Sequence, residues 1–192
     1  KKLNFKFLKK NILLTYHPDT IDEKNTIKNL EIILKSLKNL KNTLVLITSP
    51  NSDAKGVVMI RLIKSFIKKN SLSHFKFYKS LGSQNYLSIL KFLNGVIGNS
   101  SSGISEAPYF GIKTLNLGDR QTGRILMPSI INCTISEKNI KNELKKLLFD
   151  KKITKQKKNY FFYGNGNTSK KIAKKISNFN FKIYKKKVFV DL

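Results

Sequence analysis

The stretch Gly98-Asn99-Ser100-Ser101-Ser102-Gly103-Ile104-Ser105-Glu106-Ala107-Pro108, continuing to Gly118-Asp119-Arg120-Gln121-Thr122-Gly123-Arg124, decides how this chain folds. Val96-Ile97-Gly98 before it reads as a short buried strand. The serine-rich turn then opens a predicted helix over 103–110, with a carboxylate, Glu106, one turn in. Residues 113–117 read as the next strand, which ends in a loop with two arginines. An open α/β sheet presents a site for a phosphorylated ligand in this way.

The pattern repeats on both sides of this stretch. Ile12-Leu13-Leu14-Thr15-Tyr16 reads as a buried strand ended by His17-Pro18. Ile27, Leu30, Ile33, Leu34 and Leu37 follow at helical spacing. Residues 43–48 form the next apolar run, closed by Ser49-Pro50-Asn51, and a second amphipathic period covers Val57, Ile60, Ile63 and Ile67. A strand at 74–78, a helix at 85–93, a strand at 130–134, a helix at 136–148 and a last helix from 167 or 168 to about 178 complete the order. Such alternation predicts an α/β fold: a Rossmann-like parallel sheet with helices on both faces. Ligands on these sheets bind beyond the carboxyl ends of the strands. Here those ends are His17, the Pro50-Asn51 loop, Leu81-Gly82, the serine turn and Asp119-Arg120.

The chain has 192 residues, which suits one domain with a tail, and a hydrophobic share of 40% argues against disorder. The expected division is a domain over 1–178 and a basic aromatic tail over 179–192. No apolar run approaches the roughly 18–20 residues of a membrane span. The basic start is followed by mixed polar sequence and does not read as a secretory signal. The single cysteine, Cys133, sits in an apolar strand pattern and reads as a core residue, which fits a cytoplasmic location. The formal charge of +27 suggests nucleic acid when taken alone. However, only Arg61, Arg120 and Arg124 are arginines, and the lysines are scattered along the chain. Nucleic-acid readers concentrate arginine and aromatic residues on one surface, so no specific nucleic-acid partner is expected.

The residue types at the strand ends point to chemistry. Ser100, Ser101 and Ser102 supply hydroxyl donors at a helix start, and Gly103 reads as clearance for a phosphate. A capping box accounts for one serine and Glu106, but not for three serines in a row. Glu106 would be repelled by a phosphate, so a ribose diol is the better partner. Arg120 and Arg124, in a lysine chain, suggest a need for planar forked hydrogen bonding; an ion pair with Asp119 is the plainer reading. His17 reads as a phosphate donor or as an acid or base near neutral pH. His74 lacks such a context. No cluster has metal-ligand spacing, and no cofactor is expected.

Thr15-Tyr16-His17-Pro18-Asp19-Thr20, Ser49-Pro50-Asn51-Ser52-Asp53-Ala54-Lys55-Gly56, the serine stretch and residues 116–124 resemble UDP-N-acetylglucosamine 2-epimerases, in that family's order. The His17-Pro18 and Asp119-Arg120-Gln121 forms are similar to the hydrolysing branch. The resemblance implies the C-terminal domain of a GT-B fold, with an N-terminal domain absent from this chain. It implies that His17 contacts the diphosphate and assists departure of UDP, that Ser100 and Ser101 bind phosphates, and that Glu106 holds the ribose. It also implies that Asn51 and Arg120 line the nucleotide site and that backbone near Leu81 meets uracil. The implied partner is a UDP-sugar, with a homo-oligomer left open. The implied chemistry is loss of UDP to a glycal and addition of water, giving an N-acetylmannosamine-type sugar for nonulosonic acid synthesis. Lys113 stands where the family often has proline. A glycosyltransferase donor domain and a basic nucleic-acid module are the alternatives; the His17-Pro18 and Asp119-Arg120-Gln121 forms disfavour the former, and scattered charge disfavours the latter.

Overall fold

The computed structural model describes residues 3–19, 23–51, 54–149, 164 and 166–180. Six parallel strands form one sheet in the order β3-β2-β1-β4-β5-β6. They are β1 (Lys10–Thr15), β2 (Thr43–Thr48), β3 (Phe75–Tyr78), β4 (Gly95–Gly98), β5 (Lys113–Leu117) and β6 (Ile130–Cys133). The helices are α1 (Thr26–Leu37), α2 (Ala54–Lys69), α3 (Ser83–Leu90), α4 (Ser101–Ser105), α5 (Glu137–Phe149) and α6 (Thr168–Ser177). This is the doubly wound order, whose direction reverses between β1 and β4. Thr15 pairs with Gly98 at that reversal, and Leu13 pairs with Leu46 on one side and Val96 on the other.

Side chains alternate across the sheet and build a core on each face. Ile12 and Leu14 join Leu30, Ile33, Leu34 and Leu37 of α1 and Ile140, Leu144 and Leu147 of α5. Leu13 joins Leu90, Leu93, Val96 and Ala107 on the opposite face. Both faces are covered, which is why the strands are continuous apolar runs rather than alternating ones. Cys133 lies in the first of these cores, as its surroundings suggest.

One expected helix is reshaped. The segment predicted as a helix over 103–110 begins earlier, at Ser101, and ends at Ser105; a 3-10 turn, Ala107–Phe110, replaces the rest. Pro108 has no N–H to donate to the preceding turn, so the α-helical ladder cannot run through it.

The chain divides into two units, Lys1–Lys157 and Lys158–Leu192. Within the second, α6 is amphipathic, and Ile172 and Ile176 lie one turn apart with exposed side chains. The expected tail over 179–192 lies outside the described residues, apart from 179 and 180.

Candidate functional site at the sheet reversal

The turn after β4 is built around a backbone that only glycine can adopt. Gly98 has φ of +130°, and a Cβ there would sit 1.9 Å from the Thr15 carbonyl oxygen. This close approach presses the ends of β1 and β4 together. The next residue, Asn99, is 1% exposed and fastens them. Its Oδ1 accepts from the His17 backbone N–H at 2.7 Å, and its Nδ2 donates to the His17 carbonyl at 2.9 Å. The Asn99 carbonyl accepts from Arg120 Nη1 at 3.2 Å and Gln121 Nε2 at 2.7 Å. The Asn51 backbone N–H donates to His17 Nδ1 at 3.1 Å. Two of the expected site residues, His17 and Arg120, are thus joined through Asn99, and Asn51 is attached to His17; Asn99 was not among the expected site residues. Its only local signal was an amide directly after a buried strand, ahead of the serines.

Beside this junction lies a cleft of about 320 Å³ whose walls include His17, Leu81, Tyr86, Ser100, Ser102 and Glu106. Five of these were expected; Tyr86 was not. Ser100 caps α4, its Oγ accepting from the Ser102 N–H at 3.4 Å. Ser102 Oγ donates to Glu106 Oε2 at 2.7 Å, and the Tyr86 hydroxyl meets Ser102 Oγ. Burial pushes the Tyr86 phenol above its ordinary pKa; the bond to Ser102 opposes this and the Glu106 charge adds to it. Tyr86 therefore keeps its phenolic proton at neutral pH.

Not every expected residue faces the cleft. Ser101 is exposed and off its wall, and its carbonyl accepts from Ser105 Oγ at 3.0 Å. Gly103 is buried against the sheet: a Cβ there would meet Thr114 Cγ2 at 2.8 Å, and its carbonyl accepts from Thr114 Oγ1 at 2.6 Å. Its missing side chain lets α4 pack on β5, so the expectation of phosphate clearance gives way to a packing role. The Asn51 side chain is exposed, and Asn51 meets His17 through its backbone N–H. The shortness of α4 also limits its dipole, so positive character here rests on local N–H groups and on Arg120 and Lys79.

A family model described as UDP-N-acetylglucosamine 2-epimerase matches residues 2–177. The chain belongs to this family. It is 42% identical over 137 residues to the GDP/UDP-N,N'-diacetylbacillosamine 2-epimerase (hydrolyzing) of Campylobacter jejuni, covering 71% of this chain and 35% of that protein. It is 34% identical over 134 residues to polysialic acid biosynthesis protein P7 of Escherichia coli, covering 69% and 33% respectively. The chain spans about a third of the length of these curated relatives. Its fold matches that of the Methanocaldococcus jannaschii UDP-GlcNAc 2-epimerase, solved in complex with UDP-GlcNAc and UDP. That TM-score is 0.64 at 17% identity, over 88% of this chain and 45% of the other. The sheet is therefore the GT-B-like one expected.

This epimerase-family chain carries a second cavity, of about 490 Å³, over the ends of β5 and β6. Asn116, Gln121, Arg124 and Asn132 are among its lining residues. Asn116 Nδ2 donates to Asn132 Oδ1 at 2.8 Å, but Asn116 Oδ1 and Gln121 Oε1 are buried without a partner. Cys133 also lines it; burial pushes its thiol pKa up, so it is a poor nucleophile. Among the described residues, no three His, Cys, Asp or Glu side chains are grouped to hold a metal. Also among the described residues, no helix is long and apolar enough to cross a membrane.

Proposed function

We propose that this chain is the nucleotide-binding half of a hydrolysing UDP-N-acetylglucosamine 2-epimerase. Its substrate would be UDP-N-acetylglucosamine or a diacetamido relative, and its product would feed nonulosonic acid synthesis in the cytoplasm. The observation that carries this reading is the convergence of His17, Leu81, Ser100 and Glu106 on one cleft, with Arg120 fastened beside it through Asn99. The names of the Campylobacter jejuni and Escherichia coli relatives support the reaction and the pathway. Coverage of about a third of their length supports a separate N-terminal domain as the partner that completes the cleft.

In this reading the diphosphate sits at the sheet reversal, between the serine turn and His17. Because His17 Nδ1 accepts from Asn51, the neutral ring carries its proton on Nε2, the form that donates to a phosphate oxygen. Arg120 adds a fixed positive charge. Glu106, one helical turn from Ser102, faces the ribose hydroxyls, and Leu81 borders the base. A carboxylate of the partner domain removes the proton from sugar C2 as the C1–O bond breaks. UDP leaves with the bonding electrons and a glycal remains. Water then adds, its hydroxyl to C1 and a proton to C2 on the opposite face. The sum is UDP-sugar plus water giving UDP and the 2-epimer.

Calorimetry of this chain with UDP tests the binding half. Saturable binding is expected, weakened at least about tenfold by Arg120→Ala, in line with loss of one charged hydrogen bond. A flat titration by the unaltered chain overturns the assignment. Turnover is expected only with the N-terminal domain present. In D2O the product of the full-length protein should carry one deuterium at C2; a product without it excludes the glycal route.

A further inference from the structure

We infer that Tyr86 and Ser102 form a positioning relay that holds Glu106 for a vicinal diol and so sets selectivity for ribose over deoxyribose. The inference rests on the nucleotide reading of the cleft. Its basis is the supply of protons. A carboxylate has none to give, and Ser102 has one, which goes to Glu106 Oε2. Tyr86 must therefore be the donor in its contact with Ser102. The direction is fixed: Tyr86 to Ser102 to Glu106.

The relay spans two helices, from Tyr86 on α3 to Ser102 on α4 and Glu106 just after it. Glu106 is exposed, and a free glutamate in that place would sample many rotamers. Ordering it on ligand arrival costs side-chain entropy. A bond to Oε2 from the preceding turn removes much of that freedom before the ligand arrives. It leaves Oε1 for one hydroxyl and the second lone pair of Oε2 for its neighbour. The bond also ties the carboxylate to α4 at Ser102. Ser102 is thereby withdrawn from the row of three phosphate donors expected from the sequence. The serines divide the work: Ser100 caps the helix, and Ser102 aims the carboxylate.

The test is calorimetry with UDP and 2′-deoxy-UDP on the unaltered chain and on Tyr86→Phe, Ser102→Ala, the double variant and Ser102→Thr. The unaltered chain is expected to prefer UDP by about tenfold or more, the scale of one hydrogen bond to a charged acceptor. Tyr86→Phe and Ser102→Ala should each cut that preference at least about threefold, and the double variant should add little, because the two act as one unit. Ser102→Thr keeps the hydroxyl and should retain the preference. A preference unchanged in both single variants overturns the inference, as does a parallel loss of affinity for both ligands, which marks a merely structural role. UDP binding without any preference overturns the relay alone. Absence of UDP binding by the unaltered chain overturns the nucleotide reading and the relay with it.

Discussion

The two cavities at the carboxyl rim of the sheet differ in a way that size does not capture. The cleft by the β1–β4 reversal is about 320 Å³, and the one over β5 and β6 is about 490 Å³. In the smaller, hydrogen bonds hold the wall residues: Ser102 to Glu106 within the wall, and His17 from behind by Asn99 and Asn51. In the larger, two buried amide oxygens have no partner. A site that must present groups at fixed geometry needs a supporting network behind it. The reversal has one. The larger cavity has polar walls that are only partly organised, and volume alone does not make it the ligand seat.

The sharpest way to break this contrast is at Gly98. Gly98→Ala drives a methyl group into the Thr15 carbonyl at a backbone angle that alanine avoids. It should destabilise the fold by roughly 4 kcal/mol or more, read by urea unfolding. Near-native stability would mean that β1 and β4 are not held as described. Asn99→Ala should come next. It removes the two Asn99 bonds to the His17 N–H and carbonyl. A loss of about 2–4 kcal/mol is expected, with a fall in UDP affinity that exceeds that of any change in the larger cavity. The smallest effect belongs to Asn116→Leu. It deletes a buried acceptor that has no partner, together with one bond to Asn132, whose exposed amide water can satisfy instead. Stability should stay within about 1 kcal/mol and UDP affinity within about twofold. A tenfold loss of UDP affinity there would reverse the ranking of the two cavities.

How much of this was legible in the sequence depends on the distance over which each signal acts. The sheet was readable because an apolar strand followed by a helical period is local. His17, Ser100, Glu106 and Arg120 were readable because a polar residue at a strand end departs from its own neighbours. Asn99 was not readable, because its partner His17 is 82 positions away in the chain. Tyr86 was hidden for a similar reason: a single aromatic residue on an amphipathic helix looks like core until its hydroxyl finds Ser102. Gly103 misled in another way. A glycine in a serine turn shows that something approaches closely, but only the fold shows that it is Thr114. The apolar pattern over 103–110 runs on past Pro108, where the α-helical ladder cannot follow.

The reversal between β1 and β4 also has a consequence for when the cleft comes into being. Its walls are drawn from His17, Leu81, Ser100 and Glu106, and Arg120 closes in only through Asn99. No stretch of the chain made early in synthesis contains them all, and none can be aligned before the central strands have paired. A partly folded chain therefore has no assembled cleft to offer a ligand. Whatever binds there recognises the finished fold and adds its binding free energy to that state alone. In a cell with ample ligand, occupancy of the cleft would act as a final inspection, retaining chains that have closed the sheet and leaving the rest to be degraded.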